Sequence, residues 1–138
     1  MMDKESIITT VREYCEEYKE IIGVYLFGSV AKDKFNNQSD IDIALMLDDK
    51  LDKLSVFDFK LQIAVGLEEL LDREVDVVIF SNADLRLKHQ ILKGQLIIGK
   101  DNKLRVRKES EALSNYLDMK YFYNMYESEL GRKFTDGK

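Results

Sequence analysis

The chain contains no proline, one cysteine and one histidine among its 138 residues. Without proline, nothing in the sequence interrupts a helix by removing a backbone donor. The single cysteine, Cys15, excludes an intramolecular disulfide and fits a reducing cytosol. It falls in an amphipathic stretch, where a packed or half-exposed thiol is expected rather than a nucleophile. The lone histidine, His89, sits in a helical stretch beside Lys88 and Gln90; it reads as a surface or packing residue and stands outside the candidate site. A basic excess is also missing. Lys and Arg number 21 against 26 Asp and Glu, for a net charge of −5 and a pI near 5.0. That balance argues against a large nucleic-acid footprint, while leaving open a basic partner surface. No apolar run approaches membrane-spanning length and no basic-plus-apolar leader precedes Asp3, so a cytoplasmic protein without membrane association is expected.

Hydrophobic residues make up 45% of the chain and charged residues 34%, the balance of a globular domain long enough to bury a core. No repeat, low-complexity tract or linker divides it. The expected organisation is one domain overall, with residues 1–103 as its body and 104–138 as a C-terminal helix.

The stretch Val24–Leu47, VYLFGSVAKDKFNNQSDIDIALML, organises the rest. The apolar run Val24-Tyr25-Leu26-Phe27 ends abruptly at Gly28, which permits unusual φ and close backbone approach. Ser29 then opens a short helical segment, Val30-Ala31-Lys32, whose free N–H groups suit a phosphate. In the following strand Asp40, Asp42 and Ala44 point one way and Ile41, Ile43 and Leu45 the other. Carboxylates at i and i+2 stand about 7 Å apart on one face. Two like charges so placed cost free energy unless a cation neutralises them, and Mg²⁺ takes one or two carboxylates together with substrate phosphates. A phosphate cradle joined by a short loop to a metal-binding pair points to nucleotidyl or phosphoryl transfer. The plain alternative is a Gly-Ser turn followed by aspartates that solubilise an edge strand.

Gly28-Ser29 followed by Asp40-Ile41-Asp42 resembles the G-S-x(n)-D-x-D signature of the DNA polymerase β-like nucleotidyltransferase superfamily. Within it, the short chain resembles the minimal nucleotidyltransferases, in particular the MntA-type antitoxins encoded beside HEPN-domain toxins. Spacing, residue order and flanking apolar strands must all agree for that match, which a bare D-x-D would not require.

Along the chain, Asp3 to Tyr18 is expected as a first helix capped by Asp3, with Ile7, Ile8, Val11, Tyr14, Cys15 and Tyr18 on one face. Ile21 to Phe27 and Ile41 to Leu47 are the first two strands, separated by a polar loop from Lys32 to Ser39. Asp52 or Ser55 caps a second long helix that reaches about Leu71 and is apolar enough to cover a sheet. Asp72-Arg73-Glu74 is the return turn. Val75 to Phe80 is a third strand in which Asp76, Val78 and Phe80 share a face. An aspartate there needs a partner or a cation; Arg73 or a backbone N–H is the structural option. The resemblance implies instead that Asp76 is the third acidic residue, completing the metal site and assisting deprotonation of the attacking hydroxyl.

Ser81-Asn82-Ala83-Asp84 reads as a capping box for a third helix to about Lys93, stopped by Gly94. Leu96 to Gly99 is a short strand or extended edge. From Leu104 to about Arg132 an aromatic, methionine-bearing helix follows, suited equally to intramolecular packing and to docking a partner. The tail from Thr135 to Lys138 is expected to fray.

The expected fold is α/β (α+β): a small mixed sheet of three or four strands flanked by helices and ending in a long helix. The resemblance implies the nucleotidyltransferase fold, with Asp40, Asp42 and Asp76 as catalytic and metal-binding residues, Gly28 and Ser29 at the nucleotide, Mg²⁺ as cofactor and ATP as substrate. It further implies transfer of AMP to a tyrosine of a cognate HEPN ribonuclease toxin. A non-catalytic antitoxin acting by binding alone, or a nucleotidyltransferase acting on a small molecule, are the competing readings.

Overall fold

Four strands carry the apolar alternation into one mixed sheet: β1 (Ile21–Phe27), β2 (Ile41–Leu47), β3 (Val75–Ile79) and β4 (Gln95–Gly99), in the order β3-β2-β1-β4. The computed structural model describes residues 3–34, 36 and 39–136, with side chains described as far as residue 130. β1 runs antiparallel to β2 and β4, and β2 runs parallel to β3. The parallel pair follows from the intervening helix α3 (Lys53–Leu71), because a parallel connection needs a crossover. All seven residues of β1 are buried, as its unbroken apolar run requires of a central strand.

Two layers cover the sheet. On one face α1 (Lys4–Cys15) and α3 bring Ile7, Val11, Ile63 and Leu67 against Ile41, Ile43, Leu45, Val75 and Val77. On the other, Tyr25, Ala44, Met46 and Phe80 pack with Ile91 of α4 (Leu85–Leu92) and Ala112 of α5 (Asn102–Asp136). Three aspartates start three helices in the same way. Asp3 accepts from the Ser6 N–H, Asp52 from the Ser55 N–H and Asp84 from the Leu87 N–H, at 2.7–2.8 Å. Each such cap contributes about 1 kcal/mol.

Several boundaries differ from the sequence expectation. The first helix ends at Cys15, and Tyr18 donates its backbone N–H to the Cys15 carbonyl in a turn. β3 ends at Ile79, where Phe80–Asn82 form a 3₁₀ turn; the third helix therefore starts at Leu85 with Asp84 itself as cap, not as the end of a capping box at Ser81. α5 begins at Asn102 and continues through Asp136, so Thr135 and Asp136 are helical. Asn37 of the polar loop, and Gly137 and Lys138 of the tail, lie outside the described residues.

The largest departure concerns α3. Only Ile63, Leu67 and Leu71 are buried along it, while Leu54 is 78% exposed and Phe57, Leu61, Val65 and Leu70 are also exposed. A helix apolar on two sides has met a sheet that covers one. α5 divides similarly. Its first half is tied down: the Tyr25 hydroxyl donates to Glu109 at 2.9 Å, Arg105 pairs with Glu109 at 2.7 Å, and Lys108 pairs with Asp49. His89 stacks on Tyr116 with ring centroids 3.8 Å apart, the packing option of the two roles expected of it. Further along, Tyr121, Phe122, Met125 and Tyr126 are exposed. Among the described residues no helix is long and apolar enough to cross a membrane.

Candidate active site

Strand direction brings the predicted residues to one end of the sheet. β1 finishes where the antiparallel β2 begins, so Phe27 pairs with Asp42 and Gly28 follows directly beside it. β3 starts at that same end because it is parallel to β2, and Asp42 pairs in register with Asp76. Side chains at paired positions share a face. The face is the one carrying Ala44, Met46 and Phe80, since Ile41, Ile43, Val75 and Val77 fill the opposite core. Asp40 lies one step outside β2, at the mouth of the strand. Asp42 is half-buried, while Asp40 and Asp76 are exposed.

Gly28 is fitted against this group. Its φ is +75°, in the left-handed region, and a Cβ there would lie 2.1 Å from Asp42 Oδ2. Both backbone conformation and space therefore require glycine. Ser29 follows as the second residue of the short helix α2 (Gly28–Ala31) and is half-buried.

The electrostatics of the site centre on Asp42. Burial pushes its carboxyl above the usual carboxylate range, and the charges of Asp76 and then Asp40 push it the same way. Asp42 thus lies where burial and two neighbouring acidic groups raise the cost of its own ionisation, a cost that a cation would lower. Among the described residues no three His, Cys, Asp or Glu side chains form a ready metal cage. Mg²⁺ needs no closed cage, since it keeps waters and combines one or two carboxylates with substrate phosphates. The donor set at Asp40 and Asp42 fits such an ion.

Sequence reasoning missed the device that shapes the mouth of the site. Arg73 does not simply neutralise the neighbouring strand: its guanidinium donates to the Asn36 carbonyl at 2.9 Å and to the Ser39 carbonyl. The Ile41 N–H donates to the Glu74 carbonyl at 3.0 Å. Together these bonds tie the loop before Asp40 to the turn before Asp76, so that the two acids are set by one clamp. No local pattern announces it, because the two segments are far apart in the chain. A cavity of about 550 Å³ lies elsewhere. It is lined by Leu47, Lys53, Phe57, Ile79, Asn82 and Leu87 at the opposite end of β2 and β3, away from the three acids.

Known proteins agree with this architecture. A chain of a toxin–antitoxin complex crystallised with AMP-PNP superposes with a TM-score of 0.67 at 23% identity, covering 91% of this chain and 97% of that one. A chain from a complex of a tri-AMPylated Shewanella oneidensis HEPN toxin with an MNT antitoxin gives 0.65 at 20% identity, covering 92% and 98%. At such identities the likeness is one of fold. No curated protein matches the sequence. The family model for polymerase beta nucleotidyltransferases matches residues 9–103, more than half of the chain and the whole of the segment that builds the acidic site. The chain belongs to the polymerase beta nucleotidyltransferase family.

Proposed function

We propose that the chain is an antitoxin that transfers AMP from ATP to a tyrosine hydroxyl of a cognate HEPN ribonuclease toxin. The observation that carries this reading is the meeting of Gly28, Asp42 and Asp76 at one end of the sheet. Support for the acceptor comes from the similar structures, one holding AMP-PNP and one containing a tri-AMPylated HEPN toxin beside its MNT antitoxin.

In this reading the acceptor oxygen attacks the α-phosphorus, the bond to the bridging oxygen of the β-phosphate breaks, and pyrophosphate leaves. Asp40 and Asp42 would hold Mg²⁺, which would supply positive charge against the phosphates. Asp76, exposed and in register with Asp42, takes the proton of the attacking hydroxyl in this reading. Gly28, lacking a Cβ, lets phosphate oxygens approach the backbone N–H groups of the Gly28-Ser29 turn. The raised carboxyl of Asp42 makes the site's affinity for a cation depend on pH, weakening where Asp42 is protonated.

A second reading, neutralisation by docking alone, draws on the exposed aromatic and methionine side chains of α5. Intact-mass spectrometry separates the two. The chain is incubated with Mg²⁺, ATP and the HEPN-type product of the neighbouring gene, alongside an Asp40→Ala, Asp42→Ala variant. Addition of one or more AMP groups to the partner, lost in the variant, is the expected result. A stable complex with no added mass would leave docking as the function.

A further inference from the structure

α3 presents a row of five exposed side chains at four-residue steps: Lys53, Phe57, Leu61, Val65 and Glu69. At about 100° per residue, such steps form one slanting ridge along a helix. Its middle is turned away from the core, because Ile63 and Leu67 bury the other side of α3. Phe57, Leu61 and Val65 are each about half exposed, and Leu54 beside them is more so. Single exposed apolar residues are ordinary, but four adjoining on one helix face mark a surface that another molecule covers.

The order of residues along the ridge identifies its occupant. Leu61 stands at the centre, with Phe57 and Val65 four residues to either side and Lys53 and Glu69 eight to either side. The two ends carry opposite charge. Among the described residues neither has an ion-pair partner; the ion pairs are Lys4–Asp33, Arg105–Glu109 and Lys108–Asp49. Across a two-fold axis, residue i meets residue j of the second copy and j meets i. Laid antiparallel on itself about Leu61, the ridge sets Leu61 beside its own copy, Phe57 by Val65 and Lys53 by Glu69, each pair twice over. A parallel arrangement would set Lys53 against Lys53 and Glu69 against Glu69. Ridges of this four-residue kind interdigitate at a helix crossing of about 50°, the commonest class of helix pair. Glu68 also lies toward this side, but its carboxylate accepts from the Val75 N–H at 3.2 Å and is held within the chain.

We propose that this ridge is a self-association surface, through which two copies of the chain pair antiparallel about Leu61. The pairing goes beyond the nucleotidyl-transfer reading and does not depend on it. α3 covers the face of the sheet opposite to the one carrying Asp42 and Asp76, so pairing through it leaves both acidic groups uncovered. With three apolar residues at its centre the interface is small, and its exposed end charges set orientation more than strength. Association is expected on the order of tens of micromolar, which leaves a dilute chain monomeric.

Sedimentation equilibrium of the full chain at low salt, from about 1 to 500 µM, tests the pairing. The wild type should pass from monomer to dimer across that range. Leu61→Lys brings two ammoniums together on the axis and should weaken association at least about tenfold. Lys53→Glu alone and Glu69→Lys alone should each weaken it too, because each sets like charges together at both ends of the ridge. Both reversals suit the helix dipole, and thermal unfolding of dilute samples checks that every variant folds. An equimolar mixture of these two reversals should dimerise about as well as the wild type, since each end of the mixed pair again joins opposite charges. That recovery is specific to antiparallel two-fold pairing. A dimer that Leu61→Lys leaves intact, or a mixture no stronger than its components, overturns the proposal. So does a wild type monomeric throughout; if Leu61→Lys then weakens the complex with the HEPN-type product of the neighbouring gene, the ridge belongs to that partner.

Discussion

Two regions of this molecule hold groups where they are uncomfortable, in opposite ways. At the end of β2 and β3, polar groups are crowded into partial burial: Asp42 is half-buried with Asp76 in register and Asp40 nearby, and its carboxyl is pushed upward. Along the outer faces of α3 and the far half of α5, apolar groups are left in water, with Leu54 78% and Phe122 65% exposed. Neither arrangement serves the isolated chain. A folded sequence normally satisfies each local preference, and departures concentrate where another molecule completes the arrangement. A cation with phosphates would relieve the first region and an apolar protein surface the second, as the proposed function requires of its nucleotide and partner.

The comparison can be broken at the acidic end first. Asp42→Asn should lower AMP transfer to the partner by about three orders of magnitude, if metal-held charge supplies several kcal/mol at 1.36 kcal/mol per tenfold. Without metal the same variant should unfold at a higher temperature than the wild type at neutral pH, because a crowded charge has been removed. A variant that loses both activity and stability would mean that Asp42 is structural. Next in size is a pair of leucines on one helix. Leu67→Ala, at a fully buried position, should cost about 2–5 kcal/mol in denaturant unfolding, whereas Leu54→Ala should stay within about 0.5 kcal/mol. Similar losses at both would show that the outer face of α3 is already covered in the isolated chain.

On α5, Phe122→Ser combined with Tyr126→Ser should leave the unfolding midpoint nearly unchanged. The same pair should weaken the complex with the HEPN partner by about 2 kcal/mol or more in a binding titration, the behaviour of aromatic hot spots. Unchanged affinity would move the interface elsewhere. Gly28→Ala should cost about 1–2 kcal/mol for the left-handed backbone alone, with a further loss of nucleotide binding as the new methyl displaces Asp42. The smallest expected effect is on pH. Asp42 is raised in the folded chain, so that state binds more protons than the unfolded one between the ordinary carboxylate pKa and the raised value. The stability it contributes is full at low pH and is lost as pH rises through that window. The unfolding midpoint of the wild type, measured against Asp42→Asn without metal, should therefore fall behind as pH increases and then level off.

Much of this was legible in the residues themselves. β1 and β2 run over the same residues as their apolar patterns, Ile21–Phe27 and Ile41–Leu47, because strand alternation and a full apolar run are local signals. Asp3 caps the first helix as expected, and of Asp52 and Ser55 it is the aspartate that accepts from the other's N–H. That Asp42 and Ala44 share a face follows from the two-residue period of a strand, whereas Asp40 lies just before β2 and escapes that rule. Asp76 could be placed on its own strand only by order and context, and its pairing with Asp42 depends on a register that local pattern does not encode.

By itself, then, the sequence determined which segments are strands and helices, where the chain must turn at Gly28, and which strand residues share a side with Asp42, since each depends on neighbours a few residues away. The tertiary structure alone decided what lies beside what. It paired Asp42 with Asp76 and clamped the loop before Asp40 with Arg73. It also pressed the end of α4 onto β1 beside Gly28 and left one side of α3 uncovered. The physical reason is that periodicity tells a side chain which way to point, whereas strand order, register and the limited area of a four-stranded sheet decide what it meets there.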